Sequence, residues 1–196
     1  MANPLIFATN NNYKAEEVRR ILKDRFELIT LKEAGIYIDI PEPHNTLEEN
    51  AREKSMTIYQ LKEMDCFSED TGLEVDELAG APGVKSARYA GEHCSFEDNI
   101  KKLLMALEGK GNRQAQFRTV FSLIEQGKEM QFEGICEGTI ALQPLGEGGF
   151  GYDPVFIPKG SLKSFGQMSV DEKNQFSHRR KALDSLLKYL LKKSNL

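Results

Sequence analysis

The sequence has no tryptophan, only three cysteines and no long apolar run. Cys66, Cys94 and Cys136 are odd in number and form no C-x-x-C pair, so we expect free thiols rather than a disulfide framework or a zinc site. No apolar stretch approaches the ~20 residues of a membrane-spanning helix. The N-terminus also lacks the basic segment and apolar core of a signal peptide. We therefore expect a cytoplasmic protein that does not associate with a membrane.

Positive charge is not in excess either. The 26 Lys and Arg residues face 30 Asp and Glu residues, which gives a formal net charge of −4. A protein that binds nucleic acid through its backbone needs many phosphate contacts from basic side chains, so we expect no nucleic-acid partner. A small anionic ligand needs only a local group of Lys, Arg and backbone amides. With 196 residues and no Pro-, Gly- or Ser-rich linker, the chain is predicted to form a single domain, 1–196.

Helix and strand signals alternate in the first half of the chain. Leu5–Ala8 is a short apolar run that predicts a buried strand, and a helix with one apolar face follows the polar loop after it. Thr46 and Glu49 form a T-x-x-E capping box, which predicts the start of a second helix. The inward face of that second helix is expected to contain Leu47, Ala51, Ile58 and Leu61.

From Gln114 the hydrophobic period changes to two, which predicts antiparallel strands. Gly127-Lys128 is the expected turn between two of them, and Ser177 is the expected cap of a C-terminal helix. The mixture predicts an α/β fold with a mixed sheet flanked by helices. The expected inward residues of the first of these strands are Ala115, Phe117, Thr119, Phe121 and Leu123.

The polar loop after the first strand is the first candidate site. A strand end, a helix start and one lysine offer an anionic polyphosphate hydrogen-bond donors, the positive end of a helix dipole and a point charge. The alternative is that the asparagines are turn and cap residues, which they favour in any case. The residues concerned are Thr9, Asn10, Asn11, Asn12, Tyr13 and Lys14.

Two adjacent carboxylates, Glu69 and Asp70, form the second candidate site. They are expected to follow a short buried strand, Cys66–Ser68, and to precede a mostly irregular segment, Gly72–Gly91. Successive residues of a strand point to opposite faces, so one carboxylate can hold a metal while the other activates water. The alternative is a solvated acidic loop.

Two further segments have the composition of nucleotide-binding sites. Gly148–Pro154 combines closely spaced glycines with Phe150 and Tyr152, which can stack on a base; the alternative is a tight turn with both rings in the core. Lys173 and the segment Ser177–Arg180 can bind a base edge or a phosphate, or form a solvated basic turn. The chain has neither a P-loop string nor a dinucleotide-binding glycine motif.

Taken together and in this order, these segments resemble the Ham1-like inosine triphosphate pyrophosphatases. The resemblance covers nearly the whole chain. The strings that match are ATNNNYKAEEV, SEDTGLEVDELAGAPGVKSARYAG, FEGICEGTI, GGFGYDPVFIP and EKNQFSHRRKAL.

The resemblance implies a fold and an activity. The fold would be an elongated α/β structure with a mixed central sheet and two lobes separated by a cleft, and the protein would be a homodimer. The activity would be Mg²⁺-dependent hydrolysis of ITP, dITP and XTP at the α-phosphorus, which releases pyrophosphate. Alternatives are a Maf-like pyrophosphatase acting on pyrimidine or modified nucleotides, and a nucleotide-binding regulator without catalysis, which would be expected to lack the acidic pair.

The resemblance also implies residue roles. Thr9 to Lys14 would hold the triphosphate, Thr71 would contact the substrate, and Glu42 and Asp70 would bind the metal. Asp70 would also accept the proton of the attacking water, a role for which Glu69 is the other candidate. His178 and Arg179 would recognise the 6-oxo group of the base. The full set of expected base- and nucleotide-binding residues at these positions is Phe150, Gly151, Tyr152, Asp153, Lys173, His178 and Arg179.

Overall fold

A seven-stranded mixed sheet with flanking helices organises the chain in a computed structural model that describes residues 5–22 and 26–193. The strands are β1 (Leu5–Phe7), β2 (Leu28–Thr30), β3 (Cys66–Val75), β4 (Pro82–Gly83), β5 (Gln114–Glu125), β6 (Lys128–Ile140) and β7 (Phe156–Pro158). The helices are α1 (Asn12–Leu22), α2 (Leu47–Lys62), α3 (Phe96–Ala106), α4 (Val170–Asn174) and α5 (His178–Lys193).

The strand order is β2-β1-β3-β5-β6-β7, with β4 paired to β3. β1 runs parallel to β2 and β3, whereas β4 is antiparallel to β3 and β7 is antiparallel to β6. The predicted α/β fold with a mixed sheet is therefore confirmed. Among the described residues, no helix is both long enough and apolar enough to cross a membrane.

The chain folds into two compact units. The first comprises the described residues of Met1–Asp70, Thr119–Gly134 and Arg179–Leu196, and the second comprises Thr71–Arg118 and Ile135–His178. Each unit has its own apolar core.

Stacked aromatic rings form the centre of the first unit. The rings of Phe7 on β1 and Phe67 on β3 are parallel within 6°, with centroids 4.6 Å apart, and Phe121 on β5 lies 5.8 Å from Phe67. Helices α1 and α5 cover these rings, as the apolar face predicted for the first helix requires. Their buried residues are Ala15, Val18, Ile21, Leu22, Ala182, Leu183, Leu186 and Leu187.

The core of the second unit joins β3, α3, β5, β6 and the segment before β7. Phe117 and Phe156 pack with ring centroids 4.7 Å apart, and Phe165 lies 5.2 Å from Phe156. Apolar residues of α3 complete this core, chiefly Ile100, Leu103 and the adjoining Leu107.

Helix α2 begins at the predicted cap, but the residue in its last turn that was predicted to be buried is exposed. Thr46 is the N-cap and its hydroxyl accepts a hydrogen bond from the Glu49 N–H, while the Glu49 carboxylate accepts from that hydroxyl at 2.8 Å. Leu47, Ala51 and Ile58 are buried as expected. Leu61 is 54% exposed, so its predicted burial is wrong: it lies in the last turn of α2, beyond the buried part of that helix face, which ends at Ile58.

Strand β3 is longer than the sequence indicates. The predicted strand ended at the acidic pair, whereas β3 continues to Val75, so the prediction of an irregular segment is wrong for its first residues. The continuation is stabilised by β4, because Leu73 pairs with Gly83. Only glycine fits at position 72, where a Cβ would lie 2.7 Å from the Gly83 carbonyl oxygen.

The turn between β5 and β6 lies one residue before the predicted position. Gln126 and Gly127 form the connection, and both have positive φ, 49° and 77°. Two consecutive residues of this kind are typical of a tight two-residue hairpin turn.

The ring stack of the first unit predicts a large loss of stability for Phe67→Ala. Removing a fully buried aromatic side chain from a packed core costs about 3–5 kcal/mol in the free energy of unfolding. Urea unfolding followed by circular dichroism measures it. Leu61→Ala is the control in the same unit, with an expected cost below about 0.5 kcal/mol because its side chain is exposed. Equal losses in both variants would contradict this account of the core.

Candidate active site

Two neighbouring carboxylates in the middle of β3 form the centre of the candidate site. Glu69 is 2% exposed and Asp70 is 5% exposed, although both are ionisable. Because strand residues alternate, the two side chains have different partners. The alternative of a solvated acidic loop is therefore wrong, and the expectation that the two carboxylates have separate surroundings is confirmed by their contacts.

Glu69 is held by two cations of the first unit. Its Oε1 lies 2.9 Å from Lys14 Nζ and 3.1 Å from Arg179 Nη2, and its Oε2 accepts from Arg179 Nε at 2.7 Å. Arg179 also donates to Glu17 and is itself 1% exposed. Burial alone raises the pKa of Glu69, but the charges of Arg179 and Lys14 outweigh it and hold that pKa well below its usual range.

The loop between β1 and α1 places Lys14 beside Glu69. Asn11 caps α1, since its Oδ1 accepts from the Lys14 N–H at 3.2 Å. Thr9 Oγ1 accepts from the Asn11 N–H at 3.1 Å, and Asn10 Nδ2 donates to the Ile38 carbonyl at 3.1 Å. Thr9 and Asn11 therefore make local turn and cap contacts, Asn10 joins the loop to a distant segment of the chain, and Lys14 carries the charge. Asn12 and Tyr13 lie exposed on the first turn of α1.

Asp70 has different partners, all in the first unit. Its Oδ1 lies 3.0 Å from Lys54 Nζ, which also contacts Glu42 Oε1 at 2.5 Å. Asn50 Nδ2 lies 3.5 Å from the second Asp70 oxygen. Burial raises the pKa of Asp70 and the Glu42 carboxylate adds to this effect, while Lys54 opposes it.

Lys54 is a site residue that the sequence analysis missed. Asn50 and Lys54 lie one turn apart on α2, among buried residues that include Leu47, Ala51 and Ile58. Polar side chains seldom lie on the buried face of a helix without a partner. Two such residues, spaced by four on an otherwise apolar face, are the signal that could have identified them.

The residues around Lys54 fit a divalent cation. Glu42 and Asp70 both direct an oxygen at one ammonium group, so the two expected metal ligands converge on a single positive charge. Within the described part of the chain, no group of three or more His, Cys, Asp or Glu side chains gathers as a metal site. Mg²⁺ is commonly bound by one or two carboxylates together with substrate phosphates, and this donor set matches that pattern.

The second unit contains its own buried ion pair. Lys173 Nζ contacts Asp153 Oδ2 at 2.7 Å and lies 5.0 Å from the centroid of the Phe150 ring, a cation–π distance. Asp153 Oδ2 also accepts from the Phe150 N–H at 2.9 Å. Glycine is required at position 149, which has φ 78° and where a Cβ would lie 2.1 Å from the Asp153 carboxylate. The Gly-rich turn therefore lets the backbone pass close to the Asp153 carboxylate.

The other expected residues of the second unit differ in exposure. Tyr152 is buried and its hydroxyl donates to the Ser86 carbonyl at 2.9 Å, so the core alternative holds for this ring. Phe150, Gly151 and Thr71 are half-buried. His178 is 3% exposed, and its ring stacks on Phe117 with centroids 4.6 Å apart.

Known proteins resemble this chain along nearly its whole length. The sequence profile of the Ham1 family matches residues 5–189. The chain belongs to the Ham1 family. A Porphyromonas gingivalis protein named dITP/XTP pyrophosphatase is 50% identical over 188 residues, which are 95% of this chain and 97% of that protein.

Solved structures of Ham1 proteins share the fold. The Staphylococcus aureus Ham1 protein has a TM-score of 0.89 at 38% identity and is matched over 97% of this chain and 100% of its own. A Ham1 protein of Coxiella burnetii has a TM-score of 0.90 at 33% identity, with 98% and 100% covered. The Ham1 match includes the segments that carry both buried ion-pair clusters.

The Arg179 contacts predict that Arg179→Met unfolds much more readily than the wild type. The substitution leaves the Glu69 carboxylate buried with one cation fewer, and breaking a buried ion pair costs about 3–5 kcal/mol. The matched control is Arg180→Met at the next position, whose i,i+4 pair with Asp184 is 41% exposed and contributes about 0.5 kcal/mol or less. Urea unfolding at neutral pH compares them. Similar free energies of unfolding would contradict the buried role of Arg179.

Proposed function

We propose that this Ham1-family chain hydrolyses deaminated purine nucleoside triphosphates, namely ITP, dITP and XTP, to the monophosphate and pyrophosphate. The names of its relatives and the chemistry of the first unit support the same reaction. One observation carries the proposal: a buried carboxylate, Asp70, shares a lysine ammonium with a second carboxylate, Glu42, beside a lysine-bearing helix start. Acids and cations of this kind are what phosphoryl transfer from an anhydride requires.

Asp70 is the proposed general base. It accepts the proton of a water molecule whose oxygen forms a bond to the α-phosphorus, and the bond from that phosphorus to the pyrophosphate oxygen breaks. The contacts of Asp70 favour it over Glu69. Both Glu69 oxygens accept from charged donors at 2.7–3.1 Å, whereas the contact that the second Asp70 oxygen makes within residues 5–22 and 26–193 is with the Asn50 amide at 3.5 Å.

Glu69 is proposed to have a positioning role. Its carboxylate joins Lys14 to Arg179, so that the lysine of a short loop is fixed by a residue of α5. A lysine that is ordered before the substrate arrives loses less side-chain entropy on binding a phosphate. Arg179 thereby acts on the triphosphate through Glu69 and Lys14.

Mg²⁺ is the proposed cofactor, and Glu42 and Asp70 are the residues that would hold it. When bound, it would neutralise phosphate oxygens and polarise the phosphorus centre. The charges of the cluster support this proposal. The cluster has one more carboxylate than it has cations. Its cations are Lys14, Lys54 and Arg179, and its carboxylates are those of Glu17, Glu42, Glu69 and Asp70. A triphosphate with about four negative charges needs additional positive charge there.

The triphosphate is proposed to lie against the loop from Thr9 to Lys14 and against Thr71. Lys54 is added to this set because its ammonium already contacts two anionic carboxylate oxygens, and phosphate oxygens are anionic too.

The base is proposed to be recognised by the second unit, through Phe150 to Asp153, Lys173 and His178. The half-buried Phe150 ring offers a stacking surface, and Lys173 is a donor held at its face. A site that donates hydrogen bonds to a 6-oxo group leaves those donors unpaired when a 6-amino group is present.

The remaining proposals concern the whole protein. We propose that residues 1–196 act as one pyrophosphatase domain, that the protein is a cytoplasmic homodimer, and that it needs neither nucleic acid nor a membrane. The Maf-like alternative is separated by substrate choice. Pyrophosphate release is measured from ITP, dITP, XTP, ATP, GTP, dTTP and UTP, with Mg²⁺ and with EDTA. Release from ITP, dITP and XTP that EDTA abolishes is expected, and a preference for dTTP or UTP would overturn the proposal.

Asp70→Asn is expected to lower kcat for dITP by at least ~100-fold. The change keeps the size of the side chain but removes the base and one metal charge, and loss of a general base is typically of this magnitude. Pyrophosphate release at saturating dITP and Mg²⁺ measures it. The control is Asp184→Asn, which changes a carboxylate on α5 whose side chain is 41% exposed, and it is expected to keep wild-type turnover. Near-normal hydrolysis by Asp70→Asn would remove Asp70 from the mechanism.

His178→Ala and Arg179→Ala are expected to fail in different ways. The former is expected to lower the ratio of kcat/KM for ITP to that for ATP by about tenfold or more, because a donor to the base is lost. Arg179→Ala is expected to lower kcat/KM for ITP and for ATP by the same factor, because Arg179 acts through Glu69. Steady-state kinetics with both substrates, at a temperature where each variant is folded, decides between these roles. A lowered ratio in Arg179→Ala alone would assign base recognition to Arg179 instead.

A further inference from the structure

The buried Asn50 side chain joins the segment that carries Glu42 to helix α2. Asn50 has no exposed surface. Its Oδ1 accepts from the backbone N–H of His44 at 3.0 Å, and its Nδ2 donates to the backbone carbonyl of the same residue at 3.2 Å. One amide side chain therefore satisfies both backbone groups of a single loop residue.

This contact lies close to both proposed metal ligands. His44 is two residues beyond Glu42, which stands between Pro41 and Pro43. Proline fixes φ on either side of Glu42, so the backbone between that residue and the Asn50 contact has little freedom. Nδ2 of Asn50 also lies 3.5 Å from Asp70 Oδ2.

Two side chains of α2, Asn50 and Lys54, therefore lie beside the Glu42 and Asp70 carboxylates. Lys54, one turn further along α2 than Asn50, contacts one oxygen of Glu42 and one of Asp70. Lys54 supplies the charge, whereas Asn50 bonds to the backbone of His44, two residues after Glu42, and approaches the other oxygen of Asp70. An incoming cation displaces a lysine ammonium more readily than it breaks two backbone hydrogen bonds, because the ammonium is a point charge at the end of a flexible side chain.

We propose that Asn50 is a positioning residue that fixes the Glu42 segment against Asp70, so that both carboxylates face one divalent cation. This inference rests on the proposed function, since it assumes that Glu42 and Asp70 bind the metal. Asparagine suits the role because its amide is both donor and acceptor. Aspartate lacks the donor, and alanine lacks both groups.

The test is Mn²⁺ binding to the folded protein without nucleotide, measured by the electron paramagnetic resonance signal of free Mn²⁺. Asn50→Ala is expected to raise the Kd for Mn²⁺ by about tenfold or more, the usual effect of removing a partner that orients a metal ligand. The matched control is Ser55→Ala on the same helix. Ser55 is equally buried, but its hydroxyl contacts Ser122 at 2.8 Å instead of the Glu42 segment. An unchanged Kd is expected there.

A second pair of variants tests the same contact from the loop side. His44→Pro removes the backbone N–H that donates to Asn50 Oδ1, whereas His44→Ala keeps the backbone N–H and carbonyl that Asn50 contacts. The first is expected to weaken Mn²⁺ binding and the second to leave it unchanged. His44 is only half-buried, so this pair decides the matter even if Asn50→Ala does not fold.

Glu42→Gln and Asp70→Asn separate failure of this inference from failure of the proposed function. If either variant abolishes Mn²⁺ binding while Asn50→Ala and His44→Pro bind as the wild type does, the role of Asn50 is overturned and the metal site stands. If the wild type binds no Mn²⁺, or if both carboxylate variants bind it normally, the proposed metal site is overturned together with the role of Asn50.

Discussion

The burial of two adjacent carboxylates on one strand is the constraint on which the first unit depends. A charged side chain out of water must be compensated by partners of opposite charge, and Glu69 and Asp70 need them on opposite sides of β3. Arg179 and Lys14 compensate one, and Lys54 compensates the other. Helices α1, α2 and α5 each supply one of these cations, so the pair of acids links three helices to one strand.

This arrangement gives the two acids different chemistry. Glu69, bound on both oxygens by cations, is a fixed negative charge whose pKa lies well below its usual range. Asp70 shares its cation with Glu42, and its pKa is raised above its usual value by burial and by that neighbour. These different surroundings are the basis for proposing Glu69 as the positioning residue and Asp70 as the base, since paired acids in enzyme sites often have separate roles.

The sequence predicted the parts of this picture that depend on local rules. Strand alternation correctly separated Glu69 from Asp70, and the resemblance to the Ham1-like enzymes selected Glu42, which lies with Asp70 on one ammonium. The loop before α1 was also located, although Asn11 makes a helix-cap contact there and Asn10 bonds to the Ile38 carbonyl.

What the sequence did not reveal depends on long-range contacts. Lys54 and Asn50 were missed because hydrophobic periodicity scores only the apolar residues of a helix face, whereas these polar residues lie on the buried face of α2. Arg179 was assigned to the base, and nothing local indicates a carboxylate 110 positions away as its partner. The extension of β3 depends on β4, whose two residues show no strand signal of their own.

The central claim is that this cluster directs water to the α-phosphorus of the substrate. Hydrolysis of ITP in ¹⁸O-labelled water, followed by mass spectrometry of both products, tests it most directly. The account predicts one ¹⁸O atom in the nucleoside monophosphate and none in the pyrophosphate. Label in the pyrophosphate, or release of labelled orthophosphate as the first product, would contradict it.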